Sequence, residues 1–209
     1  MILFLDTVSS LPEFFLIEDN KIVSSKKIIT NNDEKMSDCI VSTYIELNKK
    51  FSLKKELTGI IVNTGPGSYT ALRVGIAFVT GLSISQEISI VGLSCVDLFR
   101  HFIKKKDLKS SAIYICSSNN QNFYCIYNEL KNTYEINKIE KIQDFNNLNQ
   151  SQISKIYTNS KLKIENINNI NYEILSFQEL VITNLKIILK MPKKELIQPI
   201  YVSNNQILK

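Results

Sequence analysis

From Thr70 to Ser85 the chain is almost without polar side chains. Ala71, Leu72, Val74, Gly75, Ile76, Ala77, Phe78, Val79, Gly81, Leu82 and Ile84 fill the stretch, and only Arg73, Thr80, Ser83 and Ser85 interrupt it. A helix that is apolar all round is buried all round. One face can pack on a sheet, but the other must meet a second helix or another protein chain. A chain of 209 residues has few internal layers to cover both sides. The stretch therefore predicts a helix over 70–85 that forms a subunit interface, with Leu72, Val74, Gly75, Phe78, Val79 and Leu82 as its contacts. The alternative is a helix wholly internal to one domain. Gly75 and the small Ala71 and Ala77 would let another helix approach closely.

The residues ahead of this helix define its setting. Leu57 to Val62 is a continuous apolar run, the pattern of a buried strand. Thr64-Gly65-Pro66-Gly67-Ser68-Tyr69-Thr70 then joins strand to helix. Glycine permits positive φ and close backbone approach, while Pro66 fixes its own φ. Ser68 or Thr70 can cap the helix start, where free N–H groups favour an anion. Gly65, Gly67, Ser68 and Thr70 are thus candidate contacts for a phosphate or carboxylate. A purely structural tight turn is the competing reading. No Gly-Lys-Ser/Thr follows, so this is not a Walker loop, and the Gly-x-Gly-x-x-Gly fingerprint is also missing.

The remaining pattern is alternating α/β. Residues 2–5, 14–17 and 21–29 read as three successive strands, with Glu18-Asp19-Asn20 as a hairpin turn. Asn31 or Asn32 can cap a helix from about Asp33 to Lys50 with Glu34 in its first turn, and Met36, Ile40, Tyr44 and Leu47 share one face of it. After the apolar helix come a strand at 88–91 and a helix at 96–103. Strands at 112–116 and 123–127 follow, then a weaker strand at 153–158 and a helix near 177–190. A composition shift near 105–111 divides the chain into units 1–106 and 107–209, and no internal sequence repeat is visible. The pattern implies mixed sheets with flanking helices in two stacked subdomains.

Composition narrows the function classes. Hydrophobic residues make up 44% and the formal charge is +5, which suits a globular chain and permits a nucleic-acid partner without requiring one. The lysine pairs are scattered and not interleaved with aromatics, so they read as solvated surface. Cys39, Cys95, Cys116 and Cys125 form no Cys-x-x-Cys pair, and with one histidine no Cys/His zinc pattern can be assembled. Reduced, buried thiols are expected. The apolar start stops at Asp6, too short for a signal peptide, and no window reaches the length of a membrane span. A cytoplasmic protein with no membrane association is expected.

Gly65-Pro66-Gly67-Ser68-Tyr69-Thr70-Ala71-Leu72-Arg73-Val74-Gly75 resembles the GPGSFTGLRIG signature of the TsaB (YeaZ) family. Ile2-Leu3-Phe4-Leu5-Asp6-Thr7 with Ser9 resembles its ILAIDTS start, Val91-Gly92-Leu93-Ser94 its VGVSSL, and Pro199-Ile200-Tyr201-Val202 its closing P-x-YLR. The resemblance covers roughly residues 1–130 and, loosely, the end. It implies an actin-like (ASKHA, RNase H-like) fold. It also implies a non-catalytic partner of TsaD, working with the ATPase TsaE to place threonylcarbamoyl on N6 of adenosine-37 in tRNAs that read ANN codons. Metal, ATP and transfer chemistry would reside on the partner subunits, with tRNA reached through the complex and none of these cofactors held tightly by this chain. The contact helices would be those at 33–50 and 70–85, which adds Met36, Ile40 and Tyr44 to the interface set. One departure stands out: Cys116-Ser117-Ser118 replaces the family's Asp-Ala-Arg.

Independent chemistry finds little support in the sequence. Actin-like ATPases hold phosphates in glycine-containing turns with an acid for Mg²⁺. Here Asp6-Thr7-Val8-Ser9-Ser10 has no glycine, and 112–122 has neither glycine nor carboxylate. Asp6 is either a contact to an ion or a turn residue. His101 has no histidine partner at i+4, so the HxxxH metal site of TsaD-like enzymes cannot form, and it reads as a surface or packing residue. No Gly-x-Ser-x-Gly elbow exists. Arg73 either pairs with a nearby acid or contacts partner or nucleotide. Two other readings stay open: a stand-alone actin-like small-metabolite kinase, and a homodimer using the apolar helix on itself.

Overall fold

Successive residues of a strand point to opposite faces, and the opening strands divide their side chains between two cores accordingly. The computed structural model describes residues 1–31, 33–104, 107–118, 121–139, 153–160, 171–192 and 196–202. In it β1 (Ile2–Asp6) pairs antiparallel with β2 (Glu13–Glu18), and β2 with β3 (Lys21–Lys27). Leu3, Leu5, Phe14 and Leu16 enter one core; Phe4, Phe15 and Ile17 enter the other. Burial on both faces explains why β1 and β2 read as near-continuous apolar runs. β3 is an edge strand whose lysines face outward, which discourages strand addition. It ends at Lys27, short of the expected Ile29: the Ile28 N–H donates to the Pro12 carbonyl (2.8 Å), and Ile28 and Ile29 join the core of Leu3 and Leu5.

Helix α1 (Met36–Phe51) starts later than Asp33 because the preceding residues close a turn of their own. Asn31 Oδ1 accepts the N–H groups of Asp33 (2.9 Å) and Glu34 (3.2 Å), and the Glu34 carboxylate accepts the Thr30 N–H (2.5 Å). Lys35 is left at the N-cap without a capping side chain. Asn32, the other expected cap, lies outside the described residues. The short α2 (Leu53–Glu56) leads into β4 (Gly59–Asn63), which runs parallel to β1. α3 (Tyr69–Gln86) connects β4 to the parallel β5 (Ser89–Leu93), and α4 (Cys95–Phe102) follows with Ser94 as its cap. The sheet order is β3-β2-β1-β4-β5. α1 and α3 cover the Leu3/Leu5 face, and α4 packs on the Phe4/Phe15 face.

The second half repeats this plan. β6 (Ser111–Cys116), β7 (Asn122–Asn128) and β8 (Thr133–Ile139) form an antiparallel meander, and β9 (Lys155–Thr158) and β10 (Asn171–Ile174) extend it in parallel beyond β6. The order β8-β7-β6-β9-β10 matches the first sheet strand for strand. α5 (Phe177–Ile188), closed by a Ser176–Glu179 capping box, packs against α4; Phe99 and Phe177 meet edge-on at 6.2 Å, and buried Asn184 donates to the Leu98 carbonyl (3.3 Å). One continuous core holds Phe4, Ile61, Phe99, Ile113, Phe123 and Leu180, so it spans both halves. The division at 106/107 falls beside Lys105 and Lys106, which lie outside the described residues. Segment 196–202 returns to the first half: Ile197 packs on Gly92, and the Ile200 N–H donates to the Thr64 carbonyl (2.8 Å).

Candidate functional site

The carboxyl ends of β1, β4 and β5 converge at one end of the first sheet, the position where open α/β sheets bind ligands. Here the loops are bonded to one another. Asp6 is buried, and its Oδ1 accepts the N–H groups of Val8 (2.9 Å) and Ser9 (3.3 Å). Burial outweighs these bonds and raises the carboxyl above its usual range. The Thr7 hydroxyl donates to the Asn63 carbonyl (2.6 Å), and Asn63 Oδ1 accepts from the Gly65 N–H (3.2 Å) and the Cys95 thiol (3.2 Å). Burial also pushes the Cys95 thiol well up, so it stays protonated.

Gly65 has φ +106°, a conformation that favours glycine, and its bond to Pro66 is cis. A Cβ there would lie 3.0 Å from the Ile200 carbonyl oxygen and 3.1 Å from Leu72 Cδ1. At Gly67 a Cβ would lie 3.1 Å from Ser117 Oγ and 3.2 Å from Val8 Cγ2. Ser117 comes from the end of β6. Its hydroxyl donates to the Val8 carbonyl (2.9 Å) and accepts the Ser68 N–H (3.2 Å). The middle residue of the atypical Cys116-Ser117-Ser118 segment thus pins the second sheet to the glycine loop of the first.

The six anion-contact candidates do not form one site. Asp6 is buried, and Gly65 and Gly67 pack closely against the chain itself, next to Leu72 and Ile200 and to Val8 and Ser117 respectively. Ser68 holds the N-cap position of α3, yet its hydroxyl makes no capping bond, and its N–H is engaged by Ser117. Ser68 and exposed Thr70 line a cavity of about 300 Å³ between the first turns of α1 and α3, together with Ser10, Lys35, Ser37 and Ser118. Arg73 lies apart and pairs with no acid among the described residues. Its guanidinium carbon sits 3.9 Å from the Tyr69 ring centroid. Exposed His101 is on α4 beside a second cavity, of about 600 Å³. Among the described residues no cluster of three His, Cys, Asp or Glu could hold a metal ion.

The interface set also divides. Met36, Ile40, Tyr44, Leu72, Gly75, Val79 and Leu82 are buried within this chain. A Cβ at Gly75 would run into Thr7 and Leu5, so that glycine lets α3 settle on its own sheet. Tyr44, Phe78 and Phe14 form an aromatic trio, with Tyr44 edge-on to Phe78 at 5.5 Å. Val74 and Phe78 are half-buried. The expectation of burial on all sides of α3 is not met within the chain, because the sheet and α1 do not reach its outer face. Ala77, Gly81 and Ile84 are exposed there, Ile84 at 74%, and a Cβ on Gly81 would meet nothing within 4 Å. On neighbouring α1, Val41 and Ile45 are 52% and 45% exposed. The outward apolar side chains are therefore Val41, Ile45, Ala77 and Ile84. In a helix apolar at nearly every position, no polar stripe told the inner side from the outer. Among the described residues no helix is long and apolar enough to cross a membrane.

Two sheets of identical strand order, each with its parallel and antiparallel parts in the same places, define a two-subdomain protein of the actin-like class. A family model described as "TsaD: tRNA N6-adenosine threonylcarbamoyltransferase" matches residues 31–209, and the chain belongs to this family. Two solved structures from Pseudomonas aeruginosa share the fold. One, an uncharacterized protein with similarity to peptidase YEAZ, has a TM-score of 0.62 at 12% identity over 97% of this chain and 99% of that chain. The other, YeaZ, has a TM-score of 0.60 at 12% identity over 96% of this chain and 99% of that chain. No curated protein matches the chain in sequence.

Proposed function

We propose that this chain is a non-catalytic, TsaB-type partner subunit in the TsaD-containing complex that makes N6-threonylcarbamoyladenosine at position 37 of tRNAs reading ANN codons. The observation that carries the reading is the outward apolar face of α1 and α3. Val41, Ile45, Ala77 and Ile84 lie on two adjacent helices, and Gly81 permits close approach of another backbone. Such a face suits helix-on-helix docking by a TsaD-type subunit. The polar groups at the strand ends support the non-catalytic part, since Asp6 accepts from the Val8 N–H and the Asn63 amide, and the Ser117 hydroxyl is engaged by the Ser68 N–H and the Val8 carbonyl. With one histidine in the chain, metal, ATP and transfer chemistry are assigned to the TsaD-type subunit and the TsaE-type ATPase.

The test is reconstitution with the TsaD- and TsaE-type proteins of the same genome, scored by modified adenosine in tRNA. Omitting this chain should abolish synthesis, and light scattering should show a complex with the TsaD-type protein. Ala77→Glu, at the centre of the exposed α3 stripe, should lose both complex and synthesis while keeping the wild-type unfolding midpoint. Full synthesis without this chain, or a chain that pairs only with itself, would overturn the reading.

A further inference from the structure

We propose that Arg73, held against Tyr69 and Tyr201, is a preformed anchor that takes a carboxylate of the partner subunit. The inference rests on reading the α1–α3 face as a subunit interface, and it names the charged contact at one edge of that face. Arg73 Nε donates to the Tyr201 hydroxyl (2.9 Å) and Nη2 donates to the Tyr69 hydroxyl. The guanidinium also lies over the Tyr69 ring, with the Tyr201 centroid 5.6 Å away, and the two rings are 4.2 Å apart. Arg73 and Tyr69 are nonetheless exposed.

A guanidinium carries five N–H donors in a fixed fork. Two are committed to the tyrosine hydroxyls. Both hydrogens of Nη1 and one of Nη2 have no acceptor among the described residues, and this edge is the one a carboxylate engages end-on with two parallel bonds. No acid lies in the first turn of α3. A cation near a helix N-terminus stands at the positive end of the dipole, so Arg73 gains nothing from its own helix. Stacking and two hydrogen bonds remove its rotamer freedom before a partner arrives, which reduces the ordering cost on binding.

The stripe to which Arg73 belongs selects the kind of partner. Arg73, Ala77, Gly81 and Ile84 follow one another at spacings of four, four and three, and all are exposed. This stripe is apolar apart from Arg73 and offers no second cation. A nucleic-acid backbone is bound by several cations along its path; one fixed guanidinium beside an apolar strip fits a protein surface with one acid. Tyr201 is a positioning residue in this scheme, brought from the C-terminal segment that the Ile200 N–H ties to the Thr64 carbonyl.

The experiment measures binding of the full chain to the TsaD-type protein of the same genome at low and high salt. Arg73→Gln should weaken binding by roughly 10-fold at low salt, with a smaller loss at high salt. Arg73→Lys, with charge but no fork, should recover little of it, and Tyr201→Phe should cost a few-fold. Unchanged unfolding midpoints show that each variant is folded. Wild-type affinity for both Arg73 variants, with Ala77→Glu still disrupting the complex, overturns the anchor and leaves the interface reading standing. Absence of any wild-type complex overturns both. Unchanged subunit affinity with loss of tRNA retention by the complex also overturns the anchor and makes the ligand a phosphate.

Discussion

Removing the Ser117 hydroxyl should loosen the junction between the two halves of the molecule. In Ser117→Ala the buried Ser68 N–H and the Val8 carbonyl each lose a bond to that oxygen, 3.2 Å and 2.9 Å away respectively. A typical internal hydrogen bond contributes about 0.5–1.5 kcal/mol, and a buried group left unpaired costs about 1–3 kcal/mol. With two groups affected and only one oxygen removed, the expected loss is about 2–3 kcal/mol. At about 2–4 °C per kcal/mol for a chain of this size, the melting temperature should fall by about 4–12 °C. Urea unfolding followed by far-UV circular dichroism should show a lower midpoint at unchanged slope. Gly67→Ala supplies the coupled control. Its Cβ would lie 3.1 Å from Ser117 Oγ and 3.2 Å from Val8 Cγ2, so overpacking should cost about 1–3 kcal/mol alone. In the Ser117→Ala background the first of those contacts is gone, and the cost should shrink by at least about 0.5 kcal/mol. A Ser117→Ala loss below about 0.5 kcal/mol, together with strict additivity, would refute the bridge.

The two glycines of α3 should respond in opposite directions. Gly75→Ala, blocked by Thr7 and Leu5, should lose about 1–3 kcal/mol. Gly81→Ala, facing open space, should gain up to about 1 kcal/mol from helix propensity, and thermal denaturation of both variants checks the contrast. Asp6 makes a pH prediction. Its folded carboxyl is raised above the unfolded value of about 3.8 by burial, so the folded state binds the proton more tightly. Stability from this group rises as pH falls through the folded pKa and is complete below the unfolded one. Wild type should therefore gain on Asp6→Asn between about pH 7 and about pH 4 in paired urea titrations. A pH-independent difference would show that Asp6 is not desolvated.

Legibility followed burial. β1, β2 and β4 were readable because cores on both sides of the first sheet demand apolar residues at nearly every strand position, and α3 because its long apolar run has the length of a helix. β10 was not, since Asn171, Tyr172 and Ile174 at a sheet edge are exposed and no burial pattern marks them. β8 escaped for a related reason: Glu135, Asn137 and Lys138 are only half-buried and break the alternation. The duplication was invisible because strand order, unlike sequence, carries it. At the candidate site, the glycine loop and the apolar helix after it could be located from residue types alone. The direction each face of α3 points could not, and neither could the bond from Ser117 to a loop more than a hundred positions away. Asn31 misled because its side chain does cap N–H groups, but in the turn before α1.

The most direct measurement is hydrogen–deuterium exchange of this chain, free and mixed with the TsaD-type protein of its own genome. Backbone amides report where a partner covers the chain without any substitution. New protection should be confined to α1 (Met36–Phe51) and α3 (Tyr69–Gln86), extending to the segment around Tyr201. Protection on β6–β10 with α1 and α3 unchanged would contradict it.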